Sequence, residues 1–173
     1  TADRFDVRVY RSSDGGETWR QTLNVDPGSG EGDPELAFGP GGRAYLIEMG
    51  GGPEVLHRSP DGGRTWEEPT PADYGDRPFV AVAGAGAEHP GRVHVHSSGH
   101  TDPLDGGRGE SAVSALTLDS AGSEVVARTT RHVDGDRYVL GAGESAVLSD
   151  GTVVLLYPER RDYSDIGRFE GMT

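Results

Sequence analysis

Arg58-Ser59-Pro60-Asp61-Gly62-Gly63-Arg64-Thr65-Trp66 decides how this chain is read, because Arg11-Ser12-Ser13-Asp14-Gly15-Gly16-Glu17-Thr18-Trp19 nearly repeats it. Seven of the nine positions are identical, and Asp14 and Asp61 stand 47 residues apart. A period of that size belongs to repeat architectures, in which each unit is one supersecondary block that buries its faces against its neighbours. The fold is therefore sought as a series of similar units.

The residue types within the repeat suit a tight hairpin. An Asp carboxylate accepts hydrogen bonds from turn N–H groups, and a Ser hydroxyl bonds back across the turn. Gly16 and Gly63 supply positions that tolerate a positive φ. Each tryptophan is expected to bury its ring beneath its own turn. That makes Ser12, Asp14, Gly16, Thr18 and Trp19, with Ser59, Asp61, Gly63, Thr65 and Trp66, structural residues, and neither tryptophan a sugar-stacking platform.

Composition agrees with an all-β chain. Of 173 residues, 28 are Gly and 11 Pro, and 33% are hydrophobic, which fits many short strands and turns in one domain. The net charge is −13 and all 16 basic residues are arginine. So acidic a chain argues against nucleic acid or an anionic membrane face as partner. There is no cysteine, hence no disulfide and no thiolate metal site. No apolar run reaches the length of a membrane-spanning helix. The sequence starts at Thr1 rather than Met and shows no signal peptide, so an upstream segment is expected.

Alternating and apolar runs separated by Gly/Pro turns place strands over 5–10, 20–25, 35–38, 43–48, 54–58, 76–82, 92–96, 111–116, 125–130, 144–148 and 152–157. The Ser-x-Asp-x-Gly-x-Thr-Trp pattern resembles the Asp-box, or bacterial neuraminidase repeat, of sialidase-like β-propellers. The resemblance implies antiparallel four-stranded blades with each box on the turn between the third and fourth strands. On that scheme residues 1–30 are a half blade, 31–72 and 73–135 are blades, and 136–173 are a second half. Thr117-Leu118-Asp119-Ser120-Ala121-Gly122 reads as a degenerate third box without its tryptophan. Closed propellers have about four to eight blades. Three blades' worth is expected to leave faces uncovered, to favour self-association, and to belong to a longer chain or a six-bladed ring.

The same resemblance puts any binding site on the rim opposite the boxes. The candidates there are Asp33, Glu35, Glu48, 73–77 with Asp76 and Arg77, 100–108, 134–137 and 159–165, most of them read as solvated loop charges. Tyr157-Pro158-Glu159-Arg160-Arg161-Asp162-Tyr163-Ser164-Asp165 is similar to a sialidase segment. By that similarity Arg161 is the clamp for a substrate carboxylate, with Arg160 and Glu159 beside it, and Asp165 is the general acid. A planar guanidinium suits a carboxylate because it bonds it bidentately. Gly143-Glu144-Ser145-Ala146 stands where the family carries a further clamp arginine.

His94, His96 and His100 raise the question of a metal, but His-x-His on a strand facing another sheet is read as packing. No cofactor is expected, although Asp102-Pro103-Leu104-Asp105-Gly106-Gly107 offers oxygens to Ca²⁺. Two functions follow from the resemblance. One is part of an exo-acting, secreted glycoside hydrolase, inactive as this chain alone. The other is a non-catalytic propeller that binds glycan or protein on the same rim.

Overall fold

The computed structural model describes residues 6–25, 30–50, 53–100, 111–133, 137–139 and 141–161. The fold is all-β, built from antiparallel sheets. β1 (Arg8–Arg11) and β2 (Arg20–Asn24) form a hairpin around the first repeat. β3 (Gly30–Phe38), β4 (Ala44–Gly50), β5 (Glu54–Ser59) and β6 (Thr70–Pro71) form a four-stranded sheet in chain order. The second repeat turns the chain from β5 towards β6. A second sheet runs β7 (Asp76–Val82), β8 (Val93–His100), β9 (Ser111–Leu118) and β10 (Val125–His132), also in chain order.

β11 (Arg137–Val139), β12 (Ser145–Val147), β13 (Val153–Leu155) and β14 (Glu159–Arg161) pair as β11 with β14 and β12 with β13. The Gly143 N–H to Leu156 C=O bond joins the two short ladders into one bent hairpin. The 137–139 and 159–161 strands and the two-residue β6 escape the sequence reading because such short segments carry no periodicity.

Strand alternation sorts the core into two layers. Tyr45, Ile47 and Leu56 point from the first four-stranded sheet towards Val80, Val93, Val95, Leu116 and Leu118 of the second. Leu46, one residue out of phase, points the other way onto Val7, Val25, Val9 and Leu23 of the β1–β2 hairpin, beside Trp66. The sheets are therefore stacked face to face in chain order. β7 lies against β3 and β4, and β12 lies against β7 in turn.

Both repeats adopt one hydrogen-bonded turn. In the first, Asp14 Oδ1 accepts from Thr18 N–H at 3.0 Å and Ser12 Oγ accepts from Gly16 N–H at 2.8 Å. In the second the matching bonds, Thr65 N–H to Asp61 and Gly63 N–H to Ser59, are 2.9 and 2.8 Å. Gly16 and Gly63 have φ of 95° and 79°. The degenerate third turn keeps the device: Asp119 Oδ1 accepts from Ser123 and Glu124 N–H at 2.8 and 3.1 Å.

The tryptophans differ. Trp66 is half-buried and donates to Thr22 Oγ1 of β2 at 3.4 Å, so the preceding hairpin covers it. Trp19 is 64% exposed, contrary to the expectation of a buried ring, and donates to Gly16 C=O of its own turn. The described residues include no preceding hairpin to cover it.

One contact is repeated between successive units. Arg11, just before the first turn, donates to Gly62 C=O in the second turn at 2.9 Å. Arg58, just before the second turn, donates to Gly122 C=O in the third at 3.1 Å. Each unit thus grips the turn of the next through the same residue of the repeat. Tyr45 adds an O–H bond to Ser120 C=O at 2.9 Å.

Candidate functional site

At the end of the sheets away from the three turns, β3 and β7 begin with matching stretches, Gly32-Asp33-Pro34-Glu35 and Asp76-Arg77-Pro78-Phe79. Asp33 and Arg77 have φ of 48° and 52°, and no other non-glycine described residue has positive φ. A left-handed backbone at such residues costs roughly 1–3 kcal/mol and is characteristic of functional loops. Asp33, Pro34, Glu35, Arg77, Pro78 and Phe79 line a recess of about 270 Å³ between the two strands.

Arg77 is exposed and forms no ion pair with a described residue. Its stem lies on Gly141, whose φ is 90°; a Cβ there would come 2.7 Å from Arg77 Cδ. Burial raises the Glu35 carboxyl above its ordinary range, and the nearby Glu144 carboxylate adds to the shift. The recess therefore joins a guanidinium with no ion pair among the described residues to a carboxyl whose pKa burial raises, chemistry suited to a polar ligand.

Behind the recess, between the two four-stranded sheets, lies a second polar group. Glu54 on β5 is 1% exposed, and neither carboxylate oxygen has a well-formed hydrogen bond among the described residues. Burial pushes its pKa up to about 7; the Ser97 hydroxyl opposes the shift, while Asp73 and Asp76 add to it and Arg128 opposes it. On the opposite face of the same sheet, Glu48 Oε1 meets His57 Nε2 at 3.3 Å, both side chains buried. Glu54 and the Glu48–His57 pair are invisible to sequence patterns because each becomes buried only when a separate sheet packs over it.

The structure brings only some of the sequence candidates together. Asp33, Glu35, Asp76 and Arg77 share the rim, with Asp73 behind them. Arg160 and Arg161 lie on β14, opposite Tyr138 and Arg137, with exposed Glu159 opposite Val139. That strand runs beside the segment leading to Gly141 and hence to Arg77. Glu48 is buried, so it is a packing residue rather than a rim charge. Asp165, the 134–136 loop and the Asp102–Gly107 loop lie outside the described residues.

The chain matches no protein-family model and no curated protein. Among the described residues, no group of three His, Cys, Asp or Glu side chains could hold a metal ion, and no helix is long and apolar enough to cross a membrane. His94 bonds Thr117 Oγ1 at 3.1 Å, and His96 bonds Gly143 C=O at 2.7 Å while stacking on Phe79. Both rings therefore have packing roles. Burial lowers both imidazole pKa values, further for His94 through Arg92, while the Gly143 bond opposes the shift at His96.

Proposed function

We propose that the chain forms part of a sialidase-like β-propeller whose rim opposite the Asp-boxes binds carbohydrate. The carrying observation is the repeated unit: three matching turns at one end, linked by the Arg11 and Arg58 contacts, and strained Asp33 and Arg77 at the other. Two four-stranded sheets act as blades, with β1–β2 and β12–β13 as halves of others. In such a ring the first strands line the central funnel, so the recess at Asp33, Glu35 and Arg77 faces a ligand there. By the resemblance Arg161, with Arg160 and Glu159, extends this surface and Asp165 is a general acid, in a protein exported from the cytoplasm.

The Asp33–Arg77 rim favours binding over bond cleavage by this chain. Arg77 is a single guanidinium with no ion pair among the described residues, and an isolated exposed ion pair contributes only about 0–1 kcal/mol. Purified chain should not release the fluorescent leaving group of a sialoside, and should bind oligosaccharide weakly in calorimetry, with affinity lowered up to about fivefold in Arg77→Ala. Turnover abolished by an Arg161→Ala, Asp165→Ala double variant would replace this reading with a catalytic one. Binding left unchanged by Arg77→Ala would remove the recess from the proposal.

A further inference from the structure

Glu54 is held at the joint between the two four-stranded sheets by the segment that leads into Arg77. Its backbone N–H donates to Asp73 C=O at 2.7 Å, and its C=O accepts from Ala72 N–H at 2.8 Å. Gly75 lies against its carboxylate, where an added Cβ would overlap both Glu54 Oε1 and Ser97 Oγ. The carboxylate is thus hemmed in on that side beside the Ser97 hydroxyl, and neither oxygen has a well-formed hydrogen bond among the described residues. A buried carboxylate without hydrogen bonds strongly disfavours its ionised form.

The charged groups facing it do not compensate. Asp73 follows β6, Asp76 begins β7, and both repel a charge on Glu54. Arg128 on β10 is already engaged by Asp73 and by Ala72 C=O. Ser97 on β8 offers a hydroxyl that also meets Ser114 at 3.1 Å. Ionised Glu54 can gain solvation only if the 72–76 segment lifts.

We infer that Glu54 is a proton-controlled latch: while its carboxyl is protonated the 72–76 segment stays closed over it, and on ionisation the segment opens and releases the Asp76–Arg77 end of β7. The latch belongs to the fold and acts whatever the rim binds. Because the folded pKa lies above the open-state value, closure is strongest at low pH and weakens as pH rises towards the folded value of about 7.

The test is amide hydrogen exchange of Ala72 and Glu54 between pH 5.5 and 8, normalised for the intrinsic rate of exchange. With the open-state carboxyl at its ordinary value, protection should fall roughly 30-fold over this range in the wild-type chain. In Glu54→Gln it should stay level within about twofold. Constant protection in the wild type overturns the latch, as does an equal fall in Glu54→Gln. If Glu54→Gln fails to fold, Asp73→Asn should move the wild-type midpoint to lower pH, and an unmoved midpoint overturns the proposal.

Discussion

At the scale of single residues, each repeat turn closes its own hydrogen bonds within nine positions. Ser59, Asp61, Gly63 and Thr65 satisfy one another locally, so their types alone disclose the turn. The fate of the tryptophans was not legible, since it depends on what packs against the outer side of the ring. Trp66→Ala should lower stability by roughly 2–3 kcal/mol, less than a fully buried aromatic would lose. Trp19→Ala should cost under about 1 kcal/mol, as surface changes do. Urea unfolding of both variants checks the contrast, and equal losses would contradict it.

Asp61 also carries a pH dependence. Bonds from Thr65, with lesser help from Ser59 and Arg64, hold its pKa at about 2, below the ordinary 3.8. A lowered pKa in the folded state gives stability that is present above about pH 4 and is lost as pH falls towards 2. The wild-type chain should therefore lose more melting temperature between pH 6 and pH 2.5 than Asp61→Asn does. An equal loss would show that the carboxylate does not govern the turn.

At the scale of the elements, most strands followed from alternation and turn composition, but the joints between sheets did not. Arg58 and Gly122 are 64 residues apart, and nothing local marks either as the other's partner. The same is true of Glu54, which reads as an ordinary strand-end charge until β8 and the 72–76 segment cover it. Gly122 has φ of 69° and sits against Tyr45, with space for a Cβ only 2.9 Å from Cε1. Gly122→Ala should destabilise by roughly 1–3 kcal/mol through backbone strain and the displaced ring. Gly84→Ala, with nothing within 4 Å, is the control in the same denaturation series. A Gly122 variant as stable as the control would mean the third turn is not gripped by the preceding sheet.

At the scale of the molecule, the stack leaves apolar surface open at both ends. Leu36 and Phe38 (61% exposed) on β3 share an open recess with exposed Tyr10 of β1. At the other end Val125, Val126, Val154 and Leu156 are exposed around β10 and the last hairpin. Sheet faces of this kind are normally covered. Sedimentation velocity on the isolated chain should show association that grows with concentration. A monodisperse monomer at all concentrations would show that these faces tolerate water.

On the proposed reading, ligand binds where the first strands begin, not at the repeated turns, whose side chains are already satisfied. Two-dimensional NMR titration of the chain with sialyllactose, and with lactose as a neutral comparison, tests it most directly. Shifts should be confined to residues 32–35, 76–79 and 141–146, and be weaker in Arg77→Ala. Shifts centred on residues 12–19 or 59–66, or no shifts with either sugar, would contradict it.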